Sequence, residues 1–287
     1  MNLKITRRGA IRAFIVSALA ACPFVVRSLR KTDAPPLGQV AQILQGLVDT
    51  GKTNVSLKTA YDALDAFIFQ RDQWLSCRSF TADALIVLDI FKGEGEKEPI
   101  CLELEENLSF TSNEKEPPLQ NGKLVRAYEL TGTTGQRWAY TFDNQLKPTF
   151  NNCGYSVKLV APVLHSLLSM PHEIFGAFWH SSYEGILHGF VPLAPVAANA
   201  DTFCLRGENA EIFIRDGFLT QVSFLNGENG NVSMAFNNYV PVGKSDAGLI
   251  YLPTQYERLQ SESSSRKKTV CRASLKNLVA DVVPYRQ

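Results

Sequence analysis

The stretch SFTADALIVLDIF, residues 79–91, decides the fold. Phe80, Ala82, Ala84, Ile86, Leu88 and Ile90 recur at every second position, with Thr81, Asp83 and Asp89 between them. A period of two predicts a β-strand with one apolar and one wet face. ICLELEENLSF (100–110) repeats the pattern, with Ile100, Leu102, Leu104, Leu108 and Phe110 set against Glu103, Glu105, Asn107 and Ser109. RWAYTF (137–142) places Trp138, Tyr140 and Phe142 on one side. Such alternation belongs to antiparallel sheets, which bury one face and wet the other.

Upstream the period is helical. Leu37, Val40, Ile43, Leu44, Leu47 and Val48 form one apolar stripe, and Leu57, Ala60, Tyr61, Leu64, Phe67, Ile68 and Leu75 form a second behind a candidate N-cap at Ser56. A helical stretch near 160–178 interrupts the strands, with Pro171, Gly176 and Gly185 expected to break it into pieces. Strands resume around Ile212 and Ile214, Val222 and Phe224, and Val232, Met234 and Phe236. LIYLPTQYERL and KTVCRASLKNLVADVV end the chain as two more. Helices first, strands after, and one helical insertion predict an α+β fold. The expected architecture is a strongly curved antiparallel sheet, an open half-barrel covered by the N-terminal helices and the insertion.

The first residues give an address. Lys4, Arg7, Arg8 and Arg12 precede an apolar run from Ala13 to Val26. Fourteen helical residues reach about 21 Å, short of a bilayer core of roughly 30 Å. The run therefore reads as a secretory signal peptide, and Arg7-Arg8 suggests the twin-arginine (Tat) route. Leu19-Ala20-Ala21-Cys22 resembles a bacterial lipobox, in which Cys22 would be lipidated. Ordinary cleavage near Ala20 or Ala21, with Cys22 incidental, and a retained short anchor stay open beside it. The expected organisation is an export signal (1–22), a linker (23–36) and a single domain (37–287). The expected location is the periplasmic side of the bacterial envelope, with a Cys22 anchor in the outer membrane where lipidation occurs.

Composition excludes some classes. Of 287 residues, 29 are basic and 28 acidic, a net charge of +1, without the basic excess of a nucleic-acid binder. The cysteines at 22, 77, 101, 153, 204 and 271 include no CxxC, so zinc ribbons and thioredoxin-like redox motifs are excluded. Most read as small buried hydrophobes, although an exported chain could also hold a disulfide. G-x-S-x-G, P-loop, H-E-x-x-H, EF-hand and dinucleotide motifs are absent, and no enzyme activity or cofactor is expected. His165, His172, His180 and His188 cluster, with Glu173 and Glu184 among them, but the expected helix breaks argue against a metal site. Asp83, Asp89, Glu103 and Glu105 read as solvated strand faces rather than acid–base pairs.

WLSCRSFTADALI (74–86), IRDGFLTQVSFLNGENGNVSMAFNNY (214–239) and LPTQYERL (252–259), in this order behind an export signal, resemble the LolA-like outer-membrane lipoprotein-sorting and periplasmic lipid-carrier superfamily. The resemblance implies a half-barrel with an apolar concave face that carries acyl chains of lipids or lipoproteins. Ile86, Leu88, Leu102, Leu104, Trp138, Tyr140, Val222 and Phe224 would line that cleft. The family's Arg-Pro pair with a following aromatic, which helps hold the helical lid, has no counterpart; Lys147-Pro148 with Phe150 is the nearest stretch. The competing reading is a structural or protein-interaction envelope lipoprotein with a closed core and no ligand.

Overall fold

The structure is a computed structural model that describes residues 37–91, 99–112, 119–120, 123–124, 128–132, 138–141, 155–178, 181–194, 202–227, 230–245, 248–261 and 268–283. The signal segment, with Cys22, and the Lys147-Pro148 stretch lie outside these residues.

Helix α1 spans Leu37–Asp49 and α2 spans Leu57–Ser76. Ser56 caps α2, its hydroxyl accepting the Thr59 amide at 3.2 Å. Strand β1 (Cys77–Phe91) follows without a linker, then β2 (Ile100–Ser112), the short ribbon β3 (Leu119–Gln120) and β4 (Lys123–Leu124), then β5 (Tyr128–Gly132) and β6 (Trp138–Thr141). Two helices interrupt, α3 (Tyr155–Ala177) and α4 (Tyr183–Gly189). The remaining strands are β7 (Val191–Leu193), β8 (Thr202–Arg206), β9 (Ala210–Arg215), β10 (Phe218–Gly227), β11 (Gly230–Ser245), β12 (Gly248–Ser261) and β13 (Lys268–Val282).

Eleven strands form one antiparallel sheet in the order β6-β5-β2-β1-β13-β12-β11-β10-β9-β8-β7. It is not closed into a barrel: β6 and β7 end it. The α+β expectation holds. Register shifts bend the long strands, and β-bulges increase local twist. In one of them Thr81 pairs with Val279 but Asp83 with Lys276, so β13 carries an extra residue. Asn277 absorbs it at φ 52°, and its amide donates to Asp83 Oδ2 at 2.5 Å. Asn tolerates that left-handed conformation better than most residues.

The helices cover the concave face. Phe80, Ala82, Ala84, Ile86 and Leu88 of β1 are all buried, as the alternation predicts, whereas Thr81 and Asp83 are exposed. Helix α3 corrects the sequence expectation. It runs unbroken through Pro162 and Pro171. An interior proline costs about 3 kcal/mol. The helix buries Val157, Val160, Leu164, Leu167, Leu168 and Phe175, each contributing about 1.5–3 kcal/mol, so packing outweighs both prolines. Among the described residues, no helix is long and apolar enough to cross a membrane.

Candidate functional site

The sheet register sorts the concave face into rows. One row reads Leu102, Leu88, Cys271, Arg258, Met234, Val222, Ile212 and Leu205 across β2, β1, β13, β12, β11, β10, β9 and β8. The next, deeper under the helices, contains Leu104, Ile86, Ala273, Tyr256 and Phe236. On the other side lies a rim of Ile100, Ile90, Thr269, Gln260, Val232, Phe224 and Ala210.

The rim is less buried than the two inner rows, and so are Leu102 and Leu104, which stand in the inner rows on β2. Ile86, Leu88, Val222, Met234 and Phe236 are fully enclosed. Leu102, Leu104, Ile90, Val232 and Phe224 pack against the core but stay half-buried, and Ile100 is 43% exposed. The rim therefore offers a half-buried strip across seven strands, apolar on either side of a polar break at Thr269 and Gln260, six steps of about 4.8 Å, or roughly 29 Å along the sheet. Contiguous apolar strips at a surface mark sites for ligands or partners more often than isolated apolar residues do.

The structure thus divides the expected cleft residues. Ile86, Leu88 and Val222 belong to the sealed core. Leu102 and Leu104 are the half-buried β2 ends of the two inner rows, and Phe224 belongs to the half-buried rim. Trp138 and Tyr140 lie on β6, with the backbone register setting Tyr140 opposite Leu130, while their side chains are outside the described set.

Helix α2 is pinned to the sheet by side chains that sequence reading passed over. The Gln70 carboxamide donates to Gly217 O, and its oxygen accepts the Leu219 amide at 3.0 Å. Gln73 Oε1 accepts the Tyr251 amide at 3.1 Å. Arg71, 2% exposed, donates Nη1 to Phe178 O at 3.1 Å and to Ser181 O at 2.9 Å, and Nε to Asp72 Oδ1 at 3.0 Å. It thereby ties α2 to the C-terminal end of α3, where backbone carbonyls lack helical partners. Sequence reading found no lid-holding arginine, and Arg71, on a helix rather than a strand, joins helix to helix.

Three inward charges were also missed. Glu106, 4% exposed, shares strand parity with Leu104 and Leu108. Arg258 shares parity with Leu252 and Tyr256. Burial lowers the Arg258 pKa, opposed by the neighbouring Cys271 thiol, and burial raises that of Tyr256 well above its ordinary value, helped by the nearby Cys77 thiol. The third is Arg71 itself. A polar residue on an apolar parity was the available signal in each strand.

The histidines separate. His165 and His172 are buried on α3, His188 is exposed on α4, and His180 lies outside the described residues. His172 Nε2 sits 2.9 Å from Cys77 O, and its ring makes an edge contact with Trp74 at 5.5 Å. Among the described residues, no metal-binding group of His, Cys, Asp and Glu assembles. Cys77, Cys204 and Cys271 are buried free thiols and Cys101 an exposed one, consistent with small hydrophobes at most positions. Burial pushes Cys77 and Cys271 up to about 12 and Cys204 to about 11. Asp83, Glu103 and Glu105 are exposed on the convex face, and Asp89 pairs there with Arg272 at 2.9 Å.

No family model and no curated protein matches the chain. Among solved structures, a DUF1329 family protein from Desulfovibrio piger is similar at 14% identity over 78% of this chain and 93% of its own, with a TM-score of 0.35. MucB in complex with MucA(peri) is similar at 7% identity over 76% of this chain and 94% of its own, with a TM-score of 0.21. Overlaps this loose do not establish a shared fold.

Proposed function

We propose that this chain is an exported envelope protein, LolA-like in role, that holds acyl chains of a lipid or lipoprotein along the half-open strip of its concave sheet. The observation that carries the reading is the burial gradient: the helices seal Ile86, Leu88 and Val222 but leave Leu102, Leu104, Ile90, Val232 and Phe224 half-covered. An acyl chain laid on that strip gains about 0.8 kcal/mol per buried CH₂. The role is binding rather than catalysis. The test is solvent extraction of the purified protein followed by mass spectrometry, with uptake of a fluorescent fatty acid. Replacing Leu102 and Phe224 with Asp should abolish uptake, because a carboxylate against a lipid tail is poorly solvated. Leu249→Asp, at the far end of β12, should leave uptake unchanged. Half-buried positions tolerate such changes better than the core, so circular dichroism should show both proteins folded. If the parent carries no lipid and takes up no probe, the strip belongs to a closed-core interaction module instead.

We infer further that the leader exports the protein to the envelope and that Cys22 is its lipid anchor. The motive is the basic start, the short apolar run and Leu19-Ala20-Ala21-Cys22. Cys22→Ser should move the protein into the soluble periplasmic fraction. Unchanged membrane association of that variant, or an intact Met1 in the mature protein, would sink this assignment.

A further inference from the structure

We propose that the open edge of β2 takes an added strand: an extended segment of a partner protein, with apolar residues at one parity and lysine or arginine at the other. This interaction surface goes beyond the acyl-binding reading and does not depend on it.

The argument begins with strand pairing. Strand β2 pairs with β1 continuously, from Ile90 with Ile100 to Ser79 with Thr111, and without a register shift. On its other side β5 pairs only with residues 108–112. Gly132, the last residue of β5, pairs with Leu108 and with Trp138 of β6, so this ribbon stops at the level of Leu108. Among the described residues, no strand pairs with the outer edge of residues 100–105. At about 3.4 Å per residue that edge is roughly 20 Å long, and every second residue directs its N–H and C=O outward. The devices that blunt exposed edges are missing from it: residues 100–105 include no proline, no inward charge and no bulge.

The two faces of the edge specify what fits beside it. On the concave side, Leu88 and Ile86 of β1 are fully enclosed, but their β2 partners Leu102 and Leu104 stay half-buried and Ile100 is 43% exposed. Apolar side chains of an added strand would cover all three as cross-strand neighbours. On the convex side stand Glu103 and Glu105, both exposed. Their β1 partners are Val87 and Leu85, and neither glutamate makes an ion pair among the described residues. Opposite charges directly across a strand pair attract and like charges repel, so these acids select a strand with cations at their level. The same rule disfavours a second copy of this chain. Twofold antiparallel pairing centred on Glu103, Leu104 or Glu105 sets glutamate against glutamate. In strand addition the main chain supplies affinity and the alternate side chains supply specificity.

The experiment titrates the full chain with a fluorescein-labelled peptide, Val-Lys-Val-Lys-Val-Lys-Val-Lys, and follows its anisotropy. One control replaces lysine with glutamate. A second reorders the peptide as Val-Val-Val-Val-Lys-Lys-Lys-Lys. Two further peptides are N-methylated, at the valines or at the lysines. The alternating cationic peptide should bind about tenfold or more tighter than the glutamate and block peptides. One methylated version should bind as the parent does and the other should lose binding by a similar factor, because an added strand turns every second N–H toward β2. Alternate amides within 100–105 should exchange fast in the free chain and become protected in the complex. Glu103→Lys combined with Glu105→Lys, both at exposed positions, should reverse the preference toward the glutamate peptide. Equal binding of the alternating and block peptides, or an equal effect of the two methylation patterns, marks plain charge attraction and overturns the proposal. Absence of peptide binding overturns it too. So does protection of the outward amides in the free chain, which would show that another segment of this chain or a second copy holds the edge. Lipid uptake is measured separately on the same protein, and its failure would strike the acyl reading alone.

Discussion

Arg71 is one of the largest side chains that the fold buries completely, and its bonds to Phe178 O and Ser181 O join elements distant in sequence while its bond to Asp72 steadies its own turn. The carbonyls of Phe178 and Ser181 accept from one guanidinium nitrogen, so the arginine serves as a cap for the end of α3. A cation at a helix C-terminus also complements the helix dipole. Arg71→Leu keeps apolar bulk but strands the Ser181 carbonyl, while Phe178 O keeps the Ser181 amide at 3.1 Å. Leaving buried polar groups unsatisfied costs about 1–3 kcal/mol apiece. The expected loss is about 1–3 kcal/mol in urea unfolding, with faster amide exchange around residues 178 and 181. A loss below about 0.5 kcal/mol would show that water or the backbone replaces the guanidinium without penalty.

At the scale of elements, what could be read from the sequence was whatever local geometry controls. The alternation in 79–91 places β1 correctly because side-chain direction in a strand follows position alone. Ser56 is recognisable as a cap because capping involves residues three apart. Asp216 and Gly217, at φ 52° and 78°, form the tight turn between β9 and β10 that their residue types favour. Helix α3 was misread for the opposite reason. Pro171 is a local penalty, whereas the burial of Leu164, Leu167 and Phe175 that outweighs it depends on strands and a helix elsewhere in the chain. The candidate site divides in the same way. Parity assigns Ile86, Leu88, Leu102, Leu104, Val222 and Phe224 to one face. Which of them the helices seal and which they leave half-open depends on where α2 and α3 come to rest. Arg258 and Glu106 stand on the apolar parity of their strands, but a single polar residue in such a pattern gains meaning only when its cross-strand neighbours are known.

At the scale of the molecule, the topology places the first long strand beside the last. Strand β1 pairs with β13 from Cys77–Val282 to Phe91–Lys268, in the middle of the sheet. The sheet's ends are β6 and β7, of four and three residues, whereas β1, β11, β12 and β13 have fourteen to sixteen. Short end strands limit edge-to-edge association. A consequence is that β13 completes the core although it is synthesised after every other described element. It contributes Val270, Cys271, Ala273 and Leu275 to the buried set, and its loss would open long edges on both β1 and β12. A chain ending at Ser261 should therefore lack cooperative unfolding and be degraded rapidly by protease, even though it keeps every helix. Adding a synthetic peptide of residues 268–287 should restore a cooperative transition, since the missing strand has two partners waiting in register. A truncated chain that melts cooperatively on its own would mean that β1 and β12 can close directly on each other, and that the central position of β13 is not required to hold the two halves of the sheet together.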